Sequence, residues 1–170
     1  MKLIGAVFIL LASTWTGIEA SRKLSMRPRQ LRQLKSALQT MEAEVIYGHA
    51  PLNEIFRTLS VQTPKPLSWL FERFAKRLES GQYNAAEAWI DSLEETRPFT
   101  ALQKGELEIL KQFGESLGRH DREQQQKQIQ LALAHLDREE VEARSVQSKY
   151  ESMMKSLGFL AGLLLIILLM

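Results

Sequence analysis

Three histidines, two pairs of adjacent carboxylates and two glycines four residues apart are the groups here whose type and spacing could do chemistry. His49, His120 and His135 are the only imidazoles. No two of them have the close spacing by which one helix presents a His-x-x-x-His metal site, so they read as structural or exposed and no metal is expected. Glu94 with Glu95, and Glu139 with Glu140, could be imagined as acid and base. No nucleophile stands beside either pair, and both fall in charged helical stretches, so they read as solvated faces. No catalytic residue and no cofactor is assigned. Cysteine is absent, which excludes disulfides, thiolate catalysis and cysteine-based zinc sites.

The glycines lie in "LEILKQFGESLGRHDREQQQKQIQLALAHLD", Leu107 to Asp137. Inside good helical sequence each should cost about 1 kcal/mol relative to alanine. A phosphate loop would need a preceding strand and a Lys-Ser/Thr after the glycines, and neither is there. Gly118 reads as a helix end at positive φ, with Asp121 offering an oxygen to the orphan amides of the next helix. Gly114 reads as a bare patch against which another helix lies close.

The elements that must position these groups are all helices, since no stretch alternates as a strand does. A first helix carries Leu31, Leu34, Leu38, Met41 and Val45 on one face and stops at Tyr47, where Gly48 can adopt the left-handed closing conformation. Leu52, Ile55, Phe56 and Leu59 mark a second, and Leu67, Leu70, Phe71, Phe74 and Leu78 a third that ends at Gly81. Asn84 can cap a fourth bearing Ala85, Ala88, Trp89 and Leu93, and Thr100 a fifth bearing Leu102, Leu110, Phe113 and Leu117. The sixth is long, with Ile129, Leu133, Leu136, Ala143, Val146 and Tyr150 along one stripe. The fold class is therefore all-α, a six-helix bundle. Trp69, Phe71, Phe74 and Trp89 fall at core spacings. Glu115, Arg119, Asp121 and Arg122 form a polar rim at the turn between the fifth and sixth helices, a candidate partner-binding surface.

Both chain ends are apolar. "MKLIGAVFILLASTWTGI" carries only Lys2 as a charge, and the run from Ser156 to Met170 carries none. A bilayer core takes about 20 helical residues. The expectation is a transmembrane helix over residues 1–20, a helical bundle over 24–152, and a second transmembrane helix over 153–170 continuous with the last bundle helix. For the first segment two readings stand, a retained membrane helix or a cleaved signal peptide. The best small-x-small candidate, Ile18-Glu19-Ala20, puts a bulky residue at its outer position. Arg22, Lys23, Arg27, Arg29, Arg32 and Lys35 follow at once, a positive cluster that stays on the cytoplasmic side. Across the whole chain 22 Lys and Arg face 20 Asp and Glu, a balance that argues against a nucleic-acid surface.

"YGHAPLNEIF", "ESGQYNAAEAW", "RPFTALQKGELEILKQFGESLGRHD" and the apolar tail together resemble the stage III sporulation protein AB family of endospore-forming bacteria, over essentially the whole chain. Gly48-x-x-Leu52, Ser80-Gly81 and Gly114-Glu115-x-x-Gly118 are also similar to the cytoplasmic helical domain of type II secretion and type IV pilus inner-membrane platform proteins, which carry two such domains where this chain has one. The resemblance implies a noncatalytic platform in the membrane around the forespore, with its central domain on the mother-cell side. It implies a secretion-type ATPase as cytoplasmic partner and other membrane components of a channel or feeding-tube complex as neighbours. Membrane lipid and self-association are compatible with it. The competing reading is an exported helical adaptor, anchored only by its C-terminus.

Overall fold

The computed structural model describes the backbone of residues 2–48, 50–118 and 122–169, and the side chains of residues 25–48, 50–118, 122–154, 156 and 157. Among these residues there is no strand. Six helices run in order: α1 (Lys2–Tyr47), α2 (Leu52–Gln62), α3 (Leu67–Glu79), α4 (Ala85–Thr96), α5 (Lys104–Glu115) and α6 (Arg122–Leu169), with one 3-10 turn at Arg97–Phe99. Among the described residues no helix is long and apolar enough to cross a membrane. The side chains of most of the two apolar end segments lie outside the described residues.

Each helix runs antiparallel to the next. Arg73 and Arg77 of α3 donate to Thr96 and Ser92 of α4, both at 2.8 Å. Ala85 and Trp89 of α4 meet Gly118 and Gly114 at the far end of α5. α6 then returns along α1. Gln147 reaches Ser25 (3.4 Å), Glu140 reaches Arg32 (3.4 Å), Asp137 holds Lys35, and Gln130 reaches Glu42 (2.9 Å). Each step forward along α1 is matched by an equal step back along α6. The chain segments before residue 25 and after residue 147 therefore leave the bundle from one end, called here the tail end. Gly48, the connection 80–84 and the turn 116–118 all lie at the other, the turn end.

The core is built around Trp89. Its indole is fully buried and touches Phe56, Phe74 and Phe113 with ring centroids 5.3–5.5 Å apart and interplanar angles of 65°, 87° and 80°, edge-to-face arrangements that aromatic rings favour. Leu31, Leu34, Leu38 and Met41 supply the wall from α1, and Ile129 and Leu136 the wall from α6. Val146, expected on the same stripe, is exposed. Residues of α6 beyond Ala143 have passed the start of α5 and keep only α1 beside them.

Several local expectations are corrected. Trp69 is not core; it is half-buried and leans edge-on against exposed Phe99. The cap of α5 is Gln103 rather than Thr100, because Glu106 reaches back to the Gln103 amide (2.8 Å) and completes a reciprocal capping box. α5 ends at Glu115, and Ser116 to Gly118 form a turn. Gly48 is not left-handed. A Cβ there would stand 2.6 Å from the Glu44 carbonyl oxygen, so glycine serves a close backbone approach.

Candidate partner-binding end and the ionic junction opposite it

The turn end collects the four glycines singled out from sequence. Gly81 (φ +67°) and Gly118 (φ +74°) take the left-handed conformation that closes α3 and the α5 turn. Asn84 starts α4 with a complete capping box to Glu87. Gly114 lies under Trp89, where a Cβ would stand 2.0 Å from the indole Cδ1. The reason is a hydrogen bond: Trp89 Nε1 donates to the Leu110 carbonyl at 2.7 Å. The indole can reach that backbone oxygen only across a bare helix surface. At Gly118 a Cβ would stand 3.1 Å from the Ala85 Cβ. The close approach expected at Gly114 is thus made by a side chain of α4.

Of the polar rim, Glu115 and Arg122 are exposed at this end. Arg119, Asp121, His49 and His120 lie outside the described residues. Tyr47, 81% exposed, and Tyr83, 39% exposed, stand at the other two connections. Among the described residues this surface offers charge and aromatic edges. His135 is exposed beside a shallow depression of about 40 Å³ between α5 and α6. Among the described residues no group of three or more His, Asp or Glu side chains is placed to hold a metal ion.

Of the carboxylates read as solvated face, Glu94 and Glu95 are exposed, whereas Glu139 and Glu140 are not. Glu139 is half-buried and Glu140 almost wholly buried, because both serve an ionic junction toward the tail end. Arg27 donates to Glu106 of α5 (2.6 Å) and to Glu139 of α6 (2.9 Å), joining three helices at one guanidinium. Glu106 is fully buried. Beside this, Glu140 accepts from Lys35 (2.9 Å), Arg32 (3.4 Å) and Arg144. Burial by itself raises the Glu140 pKa, but the hydrogen bonds from Lys35 and Arg144 outweigh it and hold the carboxyl below its ordinary range. Lys35 is held above its ordinary value, first by its hydrogen bond to Asp137 and then by Glu140, against the opposing effect of burial. Glu94 pairs with Lys111 (2.8 Å) and Glu95 with Arg73 (3.4 Å), so neither carboxylate is poised for acid–base chemistry.

Sequence reasoning passed over the Arg27 junction, although Gln103-x-x-Glu106 is a readable capping signal and Arg27 stood in the noted basic cluster. It missed the pairing because it joins residues 79 apart in the chain. Three of the six clustered cations, Arg27, Arg32 and Lys35, have packing reasons for being basic.

The family model for stage III sporulation protein AB matches residues 2–170. The chain belongs to the stage III sporulation protein AB family. It is 52% identical over 170 residues to the stage III sporulation protein AB of Bacillus subtilis (strain 168), covering 100% of this chain and 99% of that one. A solved structure of a stage III sporulation protein AB is similar with a TM-score of 0.70 and 47% identity, covering 73% of this chain and 98% of that one. Family membership accounts for the quoted motifs and the single helical unit together.

Proposed function

We propose that this protein is a noncatalytic, membrane-held scaffold of a sporulation complex, coupling a cytoplasmic secretion-type ATPase at its turn end to a membrane assembly at its tail end. Family membership supports the sporulation role. The observation that carries the rest is the α1–α6 pairing. With Ser25 opposite Gln147, two apolar sequence segments depart from one end and three polar connections gather at the other. Two membrane helices, over 1–20 and 153–170, would then hold the bundle with its turn end toward the mother-cell cytoplasm, around the forespore. α1 runs unbroken through Ala20, which favours a retained first helix over a cleaved signal.

The noncatalytic reading is supported by the ion pairs that occupy Glu94, Glu95, Glu139 and Glu140. The test is co-purification of the full chain from sporulating cells, with mass spectrometry of its partners and of its mature N-terminus. The reading expects a secretion-type ATPase among the partners and an N-terminus at residue 1 or 2. A mature N-terminus near residue 21, with no ATPase retained, would favour the exported adaptor.

A further inference from the structure

Trp69 and Phe99 form the walls of a surface groove near the tail end. Their rings meet edge to face, centroids 5.4 Å apart, and Phe99 remains 55% exposed. The groove, about 270 Å³, is lined by these two rings with Glu72, Arg73 and Lys76. Lys65 places its ammonium 5.4 Å from the Trp69 ring centroid. Lys76 answers Glu72 (2.7 Å) and Arg73 answers Glu95 (3.4 Å). Lys65 also acts on Glu72 electrostatically, but the salt bridge to that carboxylate is made by Lys76, so the groove keeps a surplus of positive charge. Phe99 sits on a single 3-10 turn, outside the buried core. A half-buried indole and an exposed phenyl ring beside a cation have the composition of an interface hot spot.

We propose that this groove docks an acidic segment of another protein, one that sets an apolar side chain between Trp69 and Phe99 and a carboxylate on Lys65. Charge complementarity selects the occupant, since the groove offers a cation and rings but no unpaired carboxylate.

Position argues against a lipid headgroup as occupant, and this step rests on the membrane reading above. The Ala101 amide donates to Gln30 (2.7 Å), which sets the groove near the level of Gln30 on α1. That is ten residues inward of residue 20, about 15 Å at 1.5 Å per residue, whereas a headgroup layer extends only about 5–7 Å beyond the hydrocarbon.

The experiment uses the full chain in sporulating cells with Phe99→p-benzoylphenylalanine, followed by irradiation and sequencing of the cross-linked peptide. The expected product is an adduct with one other protein, through a segment rich in Asp and Glu. Its yield should fall at least fivefold with Lys65→Glu and recover when an acidic residue of that segment is reversed to Lys. An adduct to lipid, an adduct to a second copy of this chain, no adduct, or a yield indifferent to Lys65→Glu each overturns the proposal. An unchanged thermal melt of Lys65→Glu excludes misfolding as the cause of a lost adduct. Alkaline extraction of the same membranes tests the membrane reading separately, because it does not depend on the cross-link.

Discussion

The indole of Trp89 occupies the space where a side chain on Gly114 would stand, and uses that access to donate to the Leu110 carbonyl at 2.7 Å. Gly114→Ala must therefore displace the ring at the centre of the core. The expected cost is about 3 kcal/mol, at the upper end for overpacking a tight interior. Gly118→Ala should cost less, about 1–2 kcal/mol, from its positive φ and the 3.1 Å approach of Ala85. Urea melts of the full chain in mild detergent check both. Equal costs, or no cost at Gly114, would contradict the ring-seat assignment.

Arg27 gives a second prediction. Arg27→Met leaves the wholly buried Glu106 carboxylate without its cation, and breaking one side of a buried pair costs about 3–5 kcal/mol. Replacing both, Arg27→Met with Glu106→Leu, should recover at least half of that loss, since an apolar pair carries no unpaid desolvation. The comparison is made by denaturant midpoints of the single and double variants. A double variant no more stable than Arg27→Met would show that the junction acts by something other than charge pairing.

What the sequence made legible follows from where each signal is stored. Periodicity at Leu31–Val45 and Leu67–Leu78, and the caps and stops at Asn84, Gly81 and Gly118, are local and announced six helices. Gly114 was readable as a place lacking a side chain, but not which partner needed the room, because Trp89 lies 25 residues upstream. Glu139 and Glu140 were misread for the same reason. A carboxylate looks solvated until the cations of α1 are brought to it by folding. Trp69 was misread because helical spacing gives a face, while the neighbouring 3-10 turn decides whether that face is covered.

Glu140 sets a pH dependence. Its folded pKa lies below its ordinary value, so the stability it adds is complete above its unfolded pKa of about 4.3 and drains away as pH falls through the lower folded value. Denaturant midpoints measured from pH 6 down to pH 3 should fall, most steeply below about pH 4.3. Glu140→Gln should be less stable at pH 6 and show a shallower fall. Parallel curves for the two proteins would remove Glu140 from the acid response.

The turn end makes a prediction about coupling. Glu115 and Arg122 are exposed, so Glu115→Lys combined with Arg122→Glu should leave the melting midpoint and membrane fractionation unchanged. Capture of the secretion-type ATPase should weaken at least tenfold and sporulation should stop after engulfment. Pull-down and spore counts read the two effects. Normal capture with normal sporulation would move the docking site to the Tyr47 and Tyr83 connections.

The central claim, a bundle held at its tail end in a membrane with its turn end in the cytoplasm, is tested most directly by thiol accessibility. The chain has no cysteine of its own. Ser80, exposed at the turn end, and Ser148, exposed toward the tail end, are suitable single cysteine positions, whereas Ser92 is fully buried and would report nothing. In intact, non-sporulating cells producing the full chain, Ser80→Cys and Ser148→Cys should both resist a membrane-impermeant maleimide, and both should label after permeabilisation. Labelling of either in intact cells would place the bundle outside the cytoplasm and contradict the account.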